Sequence, residues 1–268
     1  MKKTAQIIRG IIYYLFGVFD DFLNIKVPDI VVICYHGIGI DDWQYNISLE
    51  EFKKQVDVIL KLRTPMSLSQ LTEYIQGKRK IEKPSFVITF DDGYKNVLNC
   101  LEYLKNKDIK PGVFLLSNED GVNRSEMGNS LELLTSKDVS NLVSAGWEIG
   151  SHGATHQDFS CLSTDEITKE IKVSKSDLEK NLVTEVQYIA YPKGRYTNSI
   201  LDEVKQAGYK LGLTMDDSFI SRQTNPLLVP RIGVDKSHKI YEFKGSFSPT
   251  VIKLRHLLKK ININKIYG

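Results

Sequence analysis

The stretch "PSFVITFDDG", residues 84–93, decides the fold of this chain. Its β-branched and aromatic residues predict a buried β-strand, and the Asp-Asp-Gly sequence at its end predicts a turn. A helical segment, "NVLNCLEYLKNKD" (96–108), and a second strand, "KPGVFLLS" (110–117), come next. A strand, a helix and a strand in this order form a βαβ unit, in which the two strands lie parallel in one sheet.

The same alternation of strand and helix runs through most of the chain. Upstream, "SLEEFKKQVDVILKL" (48–62) predicts a helix with a serine N-cap and a glutamate three residues later. The other predicted strands are "DIVVICYHGI" (29–38), "WEIGSH" (147–152), "VQYIAYP" (186–192) and "YKLGLTM" (209–215). The pattern predicts an α/β fold, but it does not distinguish an eight-stranded barrel from a distorted, seven-stranded or open one.

Polar residues directly follow several of these predicted strands. They are His36, the pair Asp91–Asp92, Ser151–His152 and Tyr191–Pro192. In a βα barrel the carboxyl ends of the strands converge on one rim, where active sites form. Polar residues without a common role would be scattered over the elements, so the pattern predicts a single site at that rim.

His152 and His156, in "SHGATH" (151–156), have a spacing that suits one metal ion. On a helical turn, residues i and i+4 project to the same side, so the two imidazoles could share an ion. Asp92 is the candidate third ligand, and three protein ligands leave an open coordination position, as in catalytic sites. A histidine pair alone is weak evidence, because such pairs are common on protein surfaces.

Asp91 needs a role of its own, because adjacent residues at the end of a strand point in different directions. It could accept a proton from an attacking water molecule as a general base. The competing interpretation is that Asp91, Asp92 and Gly93 form an ordinary turn, and for this motif in isolation the turn is favoured.

Four motifs together resemble those of one enzyme family. "TFDDGY" (89–94) and "SHGATH" are similar to the first two motifs of the polysaccharide deacetylases, the NodB-homology or carbohydrate esterase family 4 enzymes. "AYPKG" (190–194) is similar to a later motif of the family. "VVICYHGIG" (31–39) is similar to an early element of the subgroup that deacetylates the biofilm polymer poly-N-acetylglucosamine. The resemblance covers residues 29–235, and the motifs stand in the family's order.

The resemblance implies a distorted (β/α) barrel, TIM-barrel-like and seven-stranded, that removes acetyl groups from N-acetylated sugars with a divalent metal. Carried over by position, Asp92, His152 and His156 look like the metal ligands and Asp91 looks like the base. The expected metal is Zn2+, because the ligands are imidazole and carboxylate, although such sites also accept Co2+ or Ni2+.

Two further catalytic roles follow from the resemblance. The backbone N–H of Lys193 would help to stabilise the oxyanion that develops during attack on the amide. His36 would protonate the departing amine, as the early histidine does in the biofilm subgroup, because the late histidine of other family members is not evident here. The competing interpretation is that His36 is a structural residue that caps a barrel strand.

The sequence departs from the family pattern near the third motif. The family carries an arginine there that orients the base, whereas here Tyr191 precedes Pro192. Arg195 and Arg231 are both candidate replacements. Several residues near the rim are candidates for contact with the sugar: Tyr94, Tyr191 and Pro192, with Trp43 and Tyr196. For at least half of the aromatic residues among them, ordinary packing is the favoured interpretation.

Two alternatives to the deacetylase remain open at this stage. The same site could hydrolyse another amide or an acetyl ester, which substrate profiling would distinguish. The chain could also be a non-catalytic carbohydrate-binding protein on the same fold, and sugar binding without acetate release would indicate this.

Composition narrows the classes of partner. The chain has 268 residues and a net charge of +3 with dispersed lysines, so we expect no nucleic-acid partner. Its three cysteines, Cys34, Cys100 and Cys161, are too far apart in sequence to suggest a disulfide framework or a cysteine zinc site.

The two ends of the chain differ from its centre. Residues 1–28 predict an amphipathic helix, and residues 5–23 place apolar side chains on one face, which suits either packing on the barrel or contact with a membrane surface. Residues 29–235 form the predicted deacetylase domain, and residues 236–268 a basic tail and helix. No cleavable signal peptide is evident, so we expect a cytoplasmic, membrane-associated protein; export with an uncleaved anchor is the alternative.

Overall fold

The computed structural model describes residues 2–26, 29–128 and 131–260 of the chain. Its strands are β1 (Ile30–Tyr35), β2 (Gly37–Ile38), β3 (Asn46–Ile47), β4 (Thr64–Pro65), β5 (Ser85–Phe90), β6 (Gly112–Leu115), β7 (Glu148–Ser151), β8 (Tyr188–Ala190), β9 (Leu211–Leu213) and β10 (Ile232–Gly233). Its α-helices are α1 (Lys2–Phe22), α2 (Leu49–Leu60), α3 (Leu68–Ile75), α4 (Leu101–Asn106), α5 (Ser136–Ser144), α6 (Thr164–Thr168), α7 (Ser174–Leu182), α8 (Asn198–Gln206), α9 (Ile240–Gly245) and α10 (Pro249–Lys260).

Seven strands form one curled parallel sheet in the order β10, β1, β5, β6, β7, β8, β9. The short β4 pairs with the start of β5, and β2 and β3 form a separate pair beside the carboxyl end of β1. Helices separate most of the consecutive strands of the sheet, as parallel pairing requires. The prediction of an α/β fold with a distorted, seven-stranded barrel is confirmed.

Residues 226–233, which we call the closing segment, lead from beside β9 into β10, which lies next to β1. Val229 pairs with Leu213 of β9 through a parallel bridge. Three residues later the chain enters β10, where Ile232 is in register with Ile33 of β1. One short stretch therefore contacts both β9 and β1 and links the two sides of the curled sheet.

Both faces of the sheet are buried, which explains why the strands are continuous apolar runs. On β1, Ile30 and Val32 join the cluster inside the barrel, while Val31 and Ile33 join the larger cluster beneath the helices. All six residues of β1 are buried. Burial on two faces leaves only the strand ends and the loops after them to carry exposed polar chemistry.

Helix α2 begins where the sequence predicts, whereas the segment predicted as a helix at 96–108 starts as a 3₁₀ helix (Lys95–Cys100) and becomes α4 only at Leu101. The Ser48 side chain accepts a hydrogen bond from Glu51 N at the start of α2. A π-turn at Lys169–Val173 separates α6 from α7. Helix α7 ends at Val183, which has a φ of 51°.

The two ends of the chain pack against each other beside the barrel. Helix α1 contacts α9 and α10, and α9 also contacts α2. Arg9 Nε lies 2.6 Å from Glu242 Oε1, and Thr250 N donates to Asp20 Oδ2 at 3.0 Å. His238, just after β10, is buried, and its Nδ1 lies 3.0 Å from Asp235 Oδ1. Residues 261–268 of the predicted tail lie outside the described residues.

Candidate active site

The predicted site residues lie where the strands β1, β5, β7 and β8 end. His36 follows β1, Asp91 and Asp92 follow β5, and His152 follows β7. The chain reverses after two of these strands through left-handed backbone, with φ of 70° at Asp92 and 86° at Gly153. Sharp turns of this kind release the chain from the sheet and turn the polar side chains towards the rim.

The three predicted metal ligands converge on one point. His152 Nε2 and His156 Nε2 each lie 3.3 Å from Asp92 Oδ1, and one ligand atom from each residue lies within 4.8 Å of the others. His152 Nδ1 lies 2.8 Å from the Ala190 carbonyl oxygen, so Nδ1 carries the proton and Nε2 presents its lone pair to the site.

The donor set fits a divalent cation. Among the described residues, Asp92 Oδ1 is a buried oxygen with no hydrogen-bond partner, and it faces two imidazole nitrogens. A buried carboxylate oxygen in that position needs a positive charge beside it. Two imidazoles and one carboxylate are a ligand set that Zn2+ accepts, and they leave a coordination position open.

The protonation states of the histidines differ. Burial lowers the pKa of His156 to about 4, so its imidazole is neutral and available as a ligand near neutral pH. Burial also acts to lower the pKa of His152, but the Asp91 and Asp92 carboxylates outweigh it and raise that pKa above its usual value. His152 is therefore the ligand at which protons compete with a metal.

The spacing of the histidines works through a loop and not through a helical turn. Residues 152–158 are non-helical, and His156 has a φ of 63°. The buried Glu170 carboxylate holds this loop: its Oε2 accepts from Ala154 N at 2.6 Å and from Thr155 N at 3.1 Å. Sequence reasoning missed Glu170, because nothing in a helical segment signals which side chain reaches back to a loop.

Arg231 holds the predicted base, which resolves the choice between the two candidate arginines. Its Nη1 and Nη2 donate to Asp91 Oδ1 and Oδ2 at 2.6 and 2.7 Å, and its side chain is fully buried. Arg195 is exposed and pairs with Asp158 instead. Burial acts to raise the pKa of Asp91, but the Arg231 guanidinium outweighs it and holds that pKa well below its usual range.

His36 lies beside the base, within an aromatic group that sequence reasoning did not fully identify. Its ring stacks on Tyr45 with centroids 4.8 Å apart and meets the edge of Trp43 at 5.8 Å. Burial lowers the pKa of His36. Its Nδ1 is buried, and no hydrogen bond reaches that atom from the described residues.

Cys34 also belongs to the site, although the sequence analysis gave it no role there. Its Sγ lies 3.4 Å from Asp91 Oδ2, within hydrogen-bond range for sulfur. Cys34, His36 and Asp91 form a second group with metal-binding atoms within 4.8 Å of one another. Because Arg231 already occupies both Asp91 oxygens, this group is a poor site for a cation.

The remaining predicted residues lie around this centre, and two are corrected by their burial. The Tyr191 ring is in the core, and its hydroxyl donates to the Leu227 carbonyl, so it does not line an open groove. The Tyr94 ring is also buried, and its hydroxyl accepts from Gly128 N. Pro192 is buried, whereas Lys193 is exposed with a φ of 57° in the turn after β8. The role of the Lys193 N–H stays a prediction.

Comparison with known proteins identifies relatives of this site and fold. The sequence model of the family described as polysaccharide deacetylase matches residues 78–212. The poly-beta-1,6-N-acetyl-D-glucosamine N-deacetylase of Staphylococcus epidermidis is 29% identical over 202 residues, which cover 70% of this chain and 68% of the relative. The enzyme of the same name from Staphylococcus aureus is 26% identical over 201 residues, 70% of this chain and 67% of the relative.

Solved structures show the same fold. The Streptococcus pyogenes deacetylase PplD in complex with acetate superposes with a TM-score of 0.71 at 24% identity, over 84% of this chain and 100% of that one. IcaB from Ammonifex degensii also gives a TM-score of 0.71, at 19% identity, over 83% of this chain and 98% of that one. At these identities the similarity establishes the architecture of the barrel.

Proposed function

The chain belongs to the polysaccharide deacetylase family and is a carbohydrate N-deacetylase, and on that premise we propose that it hydrolyses the N-acetyl groups of β-1,6-linked N-acetylglucosamine chains with Zn2+. The linkage is taken from the names of the staphylococcal relatives. The observation that carries the proposal is the buried Asp92 Oδ1 facing two imidazole nitrogens beside a fixed second carboxylate, Asp91.

The metal's part in this chemistry rests on the ligand set. Zn2+ held by Asp92, His152 and His156 would polarise the acetamide carbonyl and lower the pKa of a water molecule in the site. The family is metal-dependent, and the choice of Zn2+ over Co2+ or Ni2+ is our proposal from the two imidazoles and one carboxylate.

The chain's own residues supply the remaining steps. Asp91 accepts the proton of the attacking water, and the two hydrogen bonds from the Arg231 guanidinium keep its carboxylate ionised and oriented. The Lys193 N–H donates to the oxyanion of the tetrahedral intermediate. His36 donates a proton to the departing amine.

The aromatic side chains beside His36 are our candidates for contact with the sugar. Trp43 is half-buried and Tyr45 is exposed, so each keeps part of its ring open to solvent, whereas the Tyr94 ring is fully buried. Apolar ring faces suit the C–H faces of a pyranose. We therefore propose that Trp43 and Tyr45 line the sugar subsite and that Tyr94 supports Trp43 from beneath, with ring centroids 4.9 Å apart.

The test is acetate release by metal-stripped protein, with and without added Zn2+ or Co2+. The substrates are β-1,6-linked and β-1,4-linked N-acetylglucosamine oligomers, an O-acetylated sugar and a simple formamide. Metal-restored release from the β-1,6 oligomers, faster than from the others, is the expected result. Preference for the ester or the formamide would instead establish another hydrolase on this fold, and binding without release would establish a carbohydrate-binding protein.

The location that we propose is cytoplasmic, at a membrane face. It is supported by three cysteines without disulfides, of which Cys161 is exposed. A membrane-impermeant maleimide should leave Cys161 unlabelled in intact cells and label it after lysis. Labelling of Cys161 in intact cells would place the protein outside the cytoplasm.

A further inference from the structure

Helix α1 has its polar and apolar faces reversed relative to an ordinary surface helix. Its charged residues Arg9 and Asp20 face the protein: Arg9 pairs with Glu242, and Asp20 is buried and accepts from Thr250 N. A helix that packs on a soluble domain normally buries its apolar stripe and exposes its charges. These polar contacts dock α1 in one orientation and so hold its apolar side outward.

The outward side of α1, which we call its outer face, carries ten large hydrophobic side chains. Their exposed fractions run from 38% at Ile12 to 80% at Phe22. The outer face comprises Ile7, Ile8, Ile11, Ile12, Tyr14, Leu15, Val18, Phe19, Phe22 and Leu23. At about 100° per residue these positions span about half of the helix circumference. No element in the described part of the chain covers them.

The shape and charge of this region indicate what covers it. The outer face is convex, and between Thr4 and Phe19 the only charged residue is the inward-facing Arg9. A convex half-cylinder suits a fluid apolar medium, whereas a protein partner would need a matching groove. Large single-molecule apolar patches of this kind mark interaction or membrane sites.

Basic side chains stand next to the outer face. Tyr14 and Val18 also line a cavity of ≈ 540 Å³, together with the exposed Lys61 and Lys244 and one exposed acid, Asp21. Lysines beside an apolar helix face favour a surface that combines hydrocarbon with negative charge. None of the helices in the ranges described is long and apolar enough to cross a membrane.

We propose that the outer face of α1 lies in the interfacial layer of a bilayer with anionic headgroups, with Lys61 and Lys244 at the level of the lipid phosphates. The polar contacts of Arg9 and Asp20 fix the barrel to the helix, so the catalytic centre is held at a set height above the bilayer. Arg9 and Tyr13 of α1 line a cavity of ≈ 210 Å³ together with His36, so this centre lies close to the helix.

The experiment is flotation of the full chain with large unilamellar vesicles on a density gradient. One vesicle population is phosphatidylcholine alone, and the other contains about one third phosphatidylglycerol. We expect the protein to float with the phosphatidylglycerol vesicles, less with phosphatidylcholine alone, and less in high salt. The double variant Leu15→Glu/Phe19→Glu should lower the partition coefficient by about tenfold or more, because it puts charge into the apolar layer.

A matched pair of single variants separates the outer face from exposed apolar residues in general. Val18 on α1 and Val143 on α5 are exposed by 47% and 40%. Val18→Glu should weaken vesicle binding, and Val143→Glu should leave it unchanged. Lys61→Gln/Lys244→Gln should remove most of the preference for phosphatidylglycerol. All variants should keep the wild-type unfolding temperature and the rate of acetate release from a soluble oligomer, because none touches the candidate active site.

Three results would contradict membrane binding by the outer face. A wild-type protein that stays at the bottom of both gradients would overturn the proposal, as would equal binding of Val18→Glu and wild type. Sedimentation velocity without lipid tests whether a second copy of the chain covers the outer face instead. A dimer that dissociates in Leu15→Glu/Phe19→Glu would show that it does. Vesicle binding is measured without catalysis, so its outcome is independent of the proposed function.

Discussion

Asp91 and Arg231 form an ion pair in which each buried charge depends on the other. Both side chains are at least 96% buried, and two short hydrogen bonds join the carboxylate to the guanidinium. Removing one partner of such a pair leaves a charge without compensation in a medium of low dielectric constant. The pair therefore contributes to folding as well as to the orientation of the base.

Replacing Arg231 should destabilise the protein far more than replacing Arg195. Arg231→Gln should lower the free energy of unfolding by about 3–5 kcal/mol. Arg231→Lys should recover part of this loss, because it restores the charge without the paired guanidinium donors. Arg195→Gln removes an exposed pair with Asp158 and should cost less than about 1 kcal/mol. Urea unfolding measures all three, and similar losses for the two glutamine variants would contradict the assignment.

Replacing the base should stop turnover without releasing the metal. Asp91→Asn keeps the size of the side chain but cannot accept the proton, so acetate release should fall roughly a hundred- to ten-thousand-fold. Zn2+ content, measured by atomic emission, should stay at the wild-type level, because Asp92, His152 and His156 remain. Retention of activity within about threefold would remove Asp91 from the role of base.

The same pair predicts how stability depends on pH. The pKa of Asp91 is lowered in the folded state, so its ion pair contributes in full above the unfolded-state pKa of about 4. As the pH falls further towards the folded-state pKa, that contribution is lost. In metal-free protein, the difference in unfolding free energy between wild type and Asp91→Asn should shrink as the pH falls below about 4. A difference that grows below about pH 4 would have the wrong sign.

At the scale of elements, the π-turn between α6 and α7 has a clear consequence for the metal ligands. Glu170 lies in that turn and is buried, and its carboxylate bonds to the loop that ends at His156. Single π-turns inside helices often occur at functional sites, because the extra residue redirects a side chain. Glu170 thus acts as a positioning residue through the backbone of Ala154 and Thr155.

Loss of the Glu170 charge should weaken metal binding. Glu170→Gln keeps the shape but weakens the bonds to two backbone N–H groups, so Zn2+ affinity should fall about ten- to a hundredfold. Glu166→Gln, at an exposed capping position on α6, is the control and should leave the affinity unchanged. Competition with a chromophoric chelator gives both values. Equal affinities for the two variants would show that the loop holds its shape without Glu170.

The elements also show what local sequence can and cannot predict. Strand ends and helix starts are encoded by neighbouring residues, so the positions of Asp92 and His152 at strand ends were predictable. The loop form of residues 152–156 was not, because two histidines four apart fit a helical turn equally well. Glu170 contacts that loop across 15 and 16 residues, and no pattern of hydrophobicity reports such a contact.

At the scale of the whole molecule, close backbone contact joins the two ends of the chain. A Cβ atom on Gly245 of α9 would lie 2.4 Å from the Tyr13 carbonyl oxygen of α1, whereas one on Gly17 would meet its nearest neighbour at 3.7 Å. The first contact involves backbone and cannot relax by rotating a side chain. The approach of α1 to α9 therefore depends on the absence of a side chain at Gly245.

Two alanine substitutions test this contact. Gly245→Ala should lower the free energy of unfolding by about 1–3 kcal/mol, because α1 must move away from α9. Gly17→Ala should be neutral or stabilising by up to about 1 kcal/mol, because alanine favours the helix and finds room. Thermal unfolding by circular dichroism compares the two. Equal unfolding temperatures would mean that the approach of α1 to α9 does not depend on the absence of a side chain at Gly245.

The features that the sequence could not predict depend on contacts between residues far apart in the chain. The alternation of strands and helices was enough to predict the α/β fold, since it is a local property repeated along the chain, whereas the distorted barrel was implied by the family resemblance. The choice between Arg195 and Arg231 was not, because Asp91 and Arg231 are 140 positions apart. Helical periodicity likewise predicted an apolar stripe on α1, but only the docked position of the helix shows that the stripe faces outward.

The closing segment has a consequence for the order in which the protein becomes active. Synthesis delivers the ends of β1, β5 and β7, with His36, Asp91, Asp92 and His152, before residues 226–233 leave the ribosome. A nascent chain that stops short of this segment has its metal ligands but lacks Arg231, so no guanidinium orients the Asp91 carboxylate. We therefore expect activity to begin only after the closing segment has paired with β1 and brought Arg231 against Asp91.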